Sequence, residues 1–311
     1  MINMFKQFLF FFSLICLAIP ANAQTGKCFR YKDIIFSDVR VDKNLSYANN
    51  VPKDEEKSYK FDLYQPKGDT AHRRPLIIWM HGGGFKFGSK EAKSIQIWSK
   101  SFAQRGYVCA AINYRLSKHN PLFHFDELLK SSYYAVQDAK MAVLFFREHH
   151  KEYNIDPDKI ILAGNSAGGI VALQTAYSSN ADLAKMAGLP DTVAGAKSHG
   201  LFKVAGVINF WGAIFDLNWL KNARVPIVCV LGSNDNVVPP THKSAPVYGG
   251  IDIHAQADSL HIPNKLKVFD GYSHELRKHF NPFFSGGKDT EERWLEAGQF
   301  AADFLFDNLS K

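Results

Sequence analysis

The stretch from Ile160 to Tyr177 constrains the fold of this chain more than any other. The apolar run Ile160 to Ala163 leads into Gly164-Asn165-Ser166-Ala167-Gly168, and Ile170 to Tyr177 then has helical character. A G-x-S-x-G pattern between a strand and a helix indicates a sharp, strained turn that presents the serine hydroxyl at the end of a sheet. Both glycines are needed because the strand and helix backbones pass close together. The stretch predicts an α/β fold with Ser166 at a strand end.

Apolar strands and amphipathic helices alternate along most of the chain. The continuous apolar run Pro75 to Met80 is typical of a strand covered on both faces of a parallel sheet, and Asp126 to Tyr153 has helical spacing. Tyr31 to Tyr64 predicts short antiparallel strands, and Pro240 to Pro263 predicts a loop-rich stretch. We therefore expect a mostly parallel central sheet of about eight strands with helices on both faces. The other predicted elements are helices at Ser94–Arg105 and Thr290–Leu309 and strands at Tyr107–Tyr114, Val204–Trp211, Pro226–Leu231 and Leu266–Phe269.

The first residues predict a secretory signal peptide over 1–23. Lys6 gives a positive start, Phe8 to Ile19 is almost wholly apolar, and Ala21-Asn22-Ala23 matches an A-x-A cleavage site. The apolar run is short for a transmembrane span, and it lacks the polar face of an amphipathic helix. We expect a secreted or periplasmic protein that begins at Gln24. The remaining residues, 24–311, predict a single α/β catalytic domain without a linker or internal repeat.

Charge and cysteine content exclude some partners. The formal net charge is +7, and removal of Lys6 with the signal peptide lowers it by 1 to +6. Basic residues are scattered, so a nucleic-acid partner is not predicted. A bacterial lipoprotein signal has a small residue immediately before the cysteine that is lipidated. Neither Cys16 nor Cys28 is preceded by such a residue, so no stable membrane anchor is predicted. Cys109 and Cys229 lie in apolar runs and are expected to be buried thiols. The sequence leaves undecided whether Cys28 forms a disulfide.

The strand Pro75 to Met80 ends in His81-Gly82-Gly83-Gly84-Phe85. Three successive glycines allow backbone N–H groups to point at one spot, as a developing oxyanion requires. The alternative is an ordinary flexible glycine loop. The pattern G-x-G-x-x-G is missing there, so a dinucleotide site is not predicted. No H-E-x-x-H pattern or Cys/His cluster is present in the sequence, so we predict neither a metal nor another cofactor.

A serine hydroxyl becomes a useful nucleophile when an imidazole accepts its proton and a carboxylate orients that imidazole. A side chain that meets Ser166 must lie at the same edge of the sheet, on a loop that follows a strand. Asp235 and His274 each follow a predicted strand and so satisfy this condition. Asp138 and Arg147, on the long predicted helix, are expected to form structural ion pairs. Competing acids and imidazoles stay open at this point: Asp216, Asp252, Asp270, His254, His261 and His279.

Together these motifs resemble the α/β-hydrolase esterases, in particular the carboxylesterase and hormone-sensitive-lipase-like branch, from about Tyr59 to the C-terminus. The matching residues are His81 to Gly84, Gly164 to Gly169, Asp235 with Val238-Pro239, and His274. The resemblance implies an α/β-hydrolase fold and a serine carboxylesterase that works through an acyl-enzyme. It also implies oxyanion-binding N–H groups at Gly83, Gly84 and Ala167, and structural roles for His81, Gly82, Gly164 and Gly168.

The chain departs from that pattern in two ways. Asn165 stands where many relatives have an acidic residue, and a long helical N-terminal cap is missing, which brings the small-cap feruloyl and acetyl-xylan esterase-like groups closer. The expected substrate is a small-molecule or polysaccharide-linked ester. The alternatives are a peptidase or amidase of the same fold and a non-catalytic binding protein. The oligomeric state is open.

Asn180 to Phe202 could form a small lid. The aromatic residues Phe210, Trp211, Phe215 and Trp219 are expected to be core, or in part to line an acyl pocket.

Overall fold

The computed structural model describes residues 28–49, 51–190, 203–242, 247–281 and 286–309. The predicted signal peptide and the larger part of the predicted lid lie outside these residues. The strands are β1 (Val39–Ser46), β2 (Lys60–Pro66), β3 (Arg74–Met80), β4 (Val108–Ile112), β5 (Ile155–Asn165), β6 (Gly206–Phe210), β7 (Ile227–Gly232) and β8 (Asn264–Phe269). The helices are α1 (Lys93–Ala103), α2 (Phe125–Glu148), α3 (Ala167–Tyr177), α4 (Asn180–Met186), α5 (Gly250–Ser259) and α6 (Lys288–Leu309).

These strands form one eight-stranded sheet in the order β1-β2-β4-β3-β5-β6-β7-β8. The pairs β1·β2 and β2·β4 are antiparallel. From β4 onward each neighbouring pair is parallel, as expected when helices connect the strands. The predicted mostly parallel sheet with helices on both faces is confirmed.

Alternate residues of the central strands belong to different cores, because successive side chains of a strand point to opposite faces. On β3, Leu76 and Ile78 belong to the core shared with α2, α3 and α5. Ile77 and Trp79 belong to the core shared with α1 and α6. Trp79 stacks on Trp98 of α1 with ring centroids 5.4 Å apart. Burial of each such side chain stabilises the fold by roughly 1.5–3 kcal/mol.

Two predicted elements differ from the structure. The helix predicted to reach Tyr153 ends at Glu148. The stretch predicted to be loop-rich contains the helix α5, so that prediction was wrong. Ile253 and Ala257, one turn apart, are the apolar residues that α5 buries. A stripe this short gives little periodic signal, and packing against β7 and β8 stabilises the helix instead.

The carboxyl ends of the parallel strands meet at one edge of the sheet. Register pairs Met80 at the end of β3 with Gly164 on β5, and Gly232 at the end of β7 with Phe269 of β8. The loops that follow β3, β5, β7 and β8 therefore leave the sheet side by side, which is where open α/β sheets bind ligands. Among the helices of the described ranges, none combines the length and apolar character needed to cross a bilayer.

Candidate active site

Ser166 occupies the strained turn between β5 and α3. Its backbone has φ 53° and ψ −123°, which residues with a Cβ seldom adopt. The turn is held by the Ser166 N–H, which donates to the Phe210 carbonyl at 2.9 Å, and by the Ile170 N–H, which donates to the Ser166 carbonyl at 3.0 Å. A methyl group at Gly168 would lie 2.0 Å from the Met80 carbonyl oxygen, so only glycine fits. The hydroxyl is thereby fixed above the sheet edge.

Three predicted residues come together in a hydrogen-bonded relay. Ser166 Oγ lies 3.0 Å from His274 Nε2, and His274 Nδ1 lies 2.7 Å from Asp235 Oδ2. An ionised carboxylate can only accept, so Nδ1 carries the proton and donates to Asp235. Nε2 is then the acceptor for the serine hydroxyl. The side chains that form this relay are buried, so water competes little for these hydrogen bonds.

The Asp235 carboxylate is fixed by its own turn. Its other oxygen, Oδ1, accepts hydrogen bonds of 2.9 Å from the backbone N–H groups of Val237 and Val238. The preceding Asn234 N–H donates to the carbonyl of Tyr272 at 2.9 Å, which ties the turn after β7 to the loop that carries His274. The acid and the imidazole are therefore held relative to each other by backbone as well as side-chain contacts.

The competing acids and imidazoles lie outside the relay. Asp270, also at the end of β8, accepts from the Ser233 hydroxyl at 2.9 Å rather than from His274. The rest of that set make local contacts or are exposed: Asp216 with Asn218, Asp252 with His242, His254 with Asn264, and the exposed His261 and His279. Asp138 forms the expected structural ion pair, with Arg115, while Arg147 donates to the carbonyls of Pro157 and Lys203.

The glycine loop after β3 lies beside the serine. A methyl group at Gly82 would lie 3.2 Å from Ser166 Cβ. Gly83 has φ 115° and its carbonyl accepts from the Phe87 N–H at 2.9 Å, so the chain turns back sharply. Gly84 follows with φ 59°. Within the described ranges no acceptor takes the N–H of Gly83 or Gly84.

Ala167 adds a third N–H group from the other side of Ser166. It is the first residue of α3, so its N–H belongs to the orphan donors of a helix N-terminus. Like the N–H groups of Gly83 and Gly84, it has no acceptor within the described ranges. Such fixed donors favour an oxygen that gains negative charge, and each is typically worth a few kcal/mol to a transition state.

His81 supports the glycine loop from beneath. Its ring is buried and stacks on Tyr114 with centroids 4.4 Å apart. Its Nδ1–H donates to the Gly82 carbonyl at 2.8 Å, and the Tyr114 hydroxyl donates to the His81 carbonyl at 2.7 Å. Burial lowers the pKa of His81 from 6.5 to about 4, so the ring is neutral at neutral pH. Gly164 packs against Gly168 on the far side of the turn.

Two residues beside the site were not predicted individually. Leu122, on the loop between β4 and α2, lies so close to Gly84 that a methyl group on Gly84 would be 2.2 Å from Leu122 Cδ2. The Phe280 ring meets the His274 ring edge-on at 4.9 Å. No sequence signal indicates Phe280, because its contact depends on the path of the chain after His274. The predicted aromatic cluster is core, since all four members are buried: Phe210, Trp211, Phe215 and Trp219.

A cavity of about 870 Å³ lies behind the glycine loop. Its lining includes His81, Tyr114, Arg115 and Tyr134, but no member of the relay. Because Ser166 does not line this cavity, the cavity is not identified as the binding site for the acyl or alcohol group of a substrate. The described ranges hold no cluster of three or more His, Cys, Asp or Glu side chains arranged to bind a metal ion.

A sheet of this order, with a serine turn after β5, an acid after β7 and a histidine after β8, defines the α/β-hydrolase class. The sequence model of the BD-FAE family matches residues 61–225, over half of the chain. The chain therefore belongs to the BD-FAE family. The match includes Ser166 and the glycine loop and stops before Asp235 and His274, whose placement depends on the geometry above.

Named relatives agree with the predicted resemblance to α/β-hydrolase esterases, which is confirmed. The chain is 26% identical over 259 residues to the probable carboxylic ester hydrolase LipM of Mycobacterium tuberculosis, covering 78% of this chain and 53% of that protein. It is 25% identical over 229 residues to para-nitrobenzyl esterase of Bacillus subtilis, covering 73% and 42%. The chain thus spans about half the length of these relatives, or less.

Solved structures agree on the fold. Esterase 2 of Thermogutta terrifontis, in a form phosphorylated by paraoxon, superimposes with a TM-score of 0.59 at 24% sequence identity. The superposition covers 86% of this chain and 94% of that one. The α/β-hydrolase fold that the motifs predicted is therefore confirmed over most of the chain.

Proposed function

We propose that the protein is a serine carboxylic ester hydrolase that works through an acyl-enzyme. The observation that carries the proposal is the buried relay from Ser166 through His274 to Asp235, beside unused backbone N–H groups. A relay of this kind activates a hydroxyl for attack on an acyl carbon.

In the first half-reaction, Ser166 Oγ bonds to the ester carbonyl carbon while its proton passes to His274 Nε2. The carbonyl oxygen becomes an oxyanion and accepts from the N–H groups of Gly83, Gly84 and Ala167. The bond to the alcohol oxygen then breaks, and His274 gives its proton to that oxygen. Asp235 keeps Nδ1 protonated and stabilises the imidazolium throughout.

In the second half-reaction, water replaces the alcohol. His274 Nε2 takes a proton from the water as its oxygen bonds to the acyl carbon. The same N–H groups hold the second oxyanion, and the bond to Ser166 Oγ breaks as His274 returns the proton to it. A carboxylic acid is released and the relay is restored. The names of LipM and para-nitrobenzyl esterase support ester over amide substrates.

The decisive variant is Ser166→Ala. We expect it to keep the fold and to lose hydrolysis of short p-nitrophenyl esters and labelling by a fluorophosphonate probe. Ser132→Ala is the matched control, because Ser132 is buried and its hydroxyl has no partner within the described ranges. The control should remain fully active. A Ser166→Ala protein that still hydrolyses esters would remove this serine from the mechanism, and a native protein that takes no label would indicate a non-catalytic binding protein.

For the substrate we propose acetyl or feruloyl esters on plant polysaccharide, met outside the cytoplasm. The predicted signal peptide and the sequence resemblance to small-cap feruloyl and acetyl-xylan esterases support this. Acetyl-xylan, methyl ferulate and a p-nitrophenyl chain-length series assayed together would test it, with matched amides to test the peptidase alternative. Sequencing the N-terminus of exported protein should give Gln24 as the first residue. Protein retained in the cytoplasm with its N-terminus intact would contradict export.

A further inference from the structure

The loop that carries His274 contains two consecutive residues in an unfavourable backbone conformation. Glu275 has φ 58° and ψ 24°, and Leu276 has φ 56°. Both have a Cβ, and Leu276 is branched and fully buried, so neither adopts this left-handed region readily. The conformation persists only where surrounding contacts hold it.

Helix α6 supplies two of those contacts, from adjacent residues, and the loop's own backbone hydrogen bonds and the ion pair between Glu275 and Arg277 supply others. Trp294 Nε1–H donates to the Glu275 carbonyl at 2.9 Å. Arg293 Nε–H donates to the Leu276 carbonyl at 2.7 Å. The carbonyls of the two left-handed residues are thus each paired with a side-chain donor of α6.

Arg293 also contacts the chain on the other side of His274. Its guanidinium lies 4.3 Å from the centre of the Tyr272 ring. The Tyr272 carbonyl in turn accepts from the Asn234 N–H, next to Asp235. One side chain of α6 therefore contacts the loop two residues before and two residues after His274.

The helix itself is packed against α1, so these contacts have a rigid base. Trp98 of α1 donates its Nε1–H to the Trp294 carbonyl at 2.8 Å, and the two rings pack with centroids 6.0 Å apart. Arg293 makes a further hydrogen bond of 3.0 Å to the Thr290 hydroxyl. Gly298 allows α6 to approach closely, since a methyl group there would lie 3.3 Å from Trp98 Cδ1.

We propose that Arg293 and Trp294 are positioning residues, which hold the strained loop so that His274 stays in line between Asp235 and Ser166. The proposal rests on the proposed ester hydrolysis. If the two carbonyls lose their donors, Glu275 and Leu276 can relax toward ordinary backbone angles. The imidazole then moves out of line with the serine, although neither residue of α6 touches the reacting atoms.

The first test is Arg293→Met, which keeps an unbranched side chain and removes the guanidinium. With p-nitrophenyl acetate, we expect kcat per fluorophosphonate-titrated serine to fall roughly tenfold or more, because small misplacements of a catalytic group have effects of this size. KM should stay within about twofold, since substrate binding is unchanged. Lys288→Met, a cation on the same helix that pairs with Glu292, is the matched control and should behave as wild type.

A rescue separates positioning from stability. Glycine adopts a positive φ without the Cβ penalty, so Glu275→Gly should restore kcat at least about threefold in the Arg293→Met background. Glu275→Gly alone is the reference. If Arg293 serves stability alone, the variant will have a lower Tm and fewer titratable serines but an unchanged kcat per titrated site, which would overturn the proposal.

Should Arg293→Met fail to fold, the same comparison uses Trp294→Phe, which keeps a ring in the buried position and removes the Nε1–H donor. An unchanged kcat per titrated site in that variant would equally reject the proposal. Failure of the proposed function is distinct, because wild type itself would then neither take the label at Ser166 nor hydrolyse esters.

Discussion

At the scale of single residues, the partners of a buried polar group decide its role. Ser132 and Ser166 are both buried serines. Ser132 has no partner within the described part of the chain, whereas Ser166 meets an imidazole whose other nitrogen is held by a carboxylate. Among the histidines, His274 is paired with Asp235 and suits proton transfer, while His81 is buried against Tyr114 and is neutral.

The buried ring of His81 makes stability depend on pH. Its pKa is lowered from 6.5 to about 4 in the folded protein, so the unfolded chain binds the proton first. The stability that neutral His81 contributes is complete above pH 6.5 and is lost as the pH falls from 6.5 to about 4. The gap between the two pKa values corresponds to about 3 kcal/mol.

Urea unfolding across this pH window checks the effect. His81→Phe keeps an aromatic ring against Tyr114 and removes the titrating group, so it should lose about 3 kcal/mol less than wild type on acidification. His279→Gln, at an exposed position, should keep the wild-type slope. Parallel pH profiles for wild type and His81→Phe would show that this ring does not contribute.

At the scale of elements, the glycine loop after β3 is anchored at both ends. His81 and Tyr114 hold its start. Beyond its end, the buried Lys90 ammonium lies 2.8 Å from the buried Asp62 carboxylate of β2, and the Lys90 N–H donates to Asn113 Oδ1 at 2.7 Å. The antiparallel edge of the sheet therefore fixes the loop that lies beside Ser166.

Asp62→Asn should destabilise the fold, because it leaves the buried Lys90 ammonium with only the exposed Glu91 carboxylate, 3.2 Å away, as an ionic partner. Removing one partner of such a pair typically costs about 3–5 kcal/mol. Asp54→Asn is the matched control: its ion pair with Lys118, at 3.9 Å, joins side chains that are 73% and 85% exposed. That change should cost less than about 1 kcal/mol. Equal free energies of unfolding for the two variants would contradict an anchoring role for Lys90.

At the scale of the whole molecule, the sheet separates two cores that each contain a cysteine. Cys109 of β4 lies in the core shared with α1 and α6, and Cys229 of β7 lies in the core shared with α2, α3 and α5. Burial raises the pKa of the Cys229 thiol to about 12 and that of Cys109 still further. In the folded protein, reagent therefore cannot reach either thiol, and neither thiol has an appreciable thiolate fraction.

Thiol labelling therefore tests whether residues 24–311 form one folding unit. Neither Cys109 nor Cys229 should react with a maleimide in native buffer. In urea below the midpoint, both should label at the same rate if both cores open together. The measurement is mass spectrometry of the two cysteine peptides over time. Clearly different rates would show that the two faces of the sheet open separately, against a single cooperative domain.

The motifs near strand ends could be predicted from the sequence because each follows an apolar run that has few alternatives to a buried strand. The choice of acid was harder: Asp235 and Asp270 both follow strands, and they lie at the ends of neighbours β7 and β8. Only the structure shows that Asp270 accepts from Ser233 while Asp235 reaches His274. Helix α5 was not predicted because its two buried apolar residues give too weak a helical periodicity.

By itself, the sequence determined the α/β class, the strained serine turn and the amide-bearing glycine loop, because these depend on local backbone freedom and apolar periodicity. The tertiary structure decided which acid meets the imidazole and which side chains pack against the glycine loop. It also decided that Arg293 and Trp294 contact the loop of His274. Those contacts join residues far apart in the chain. Their geometry follows from sheet register and helix packing, which no local pattern encodes.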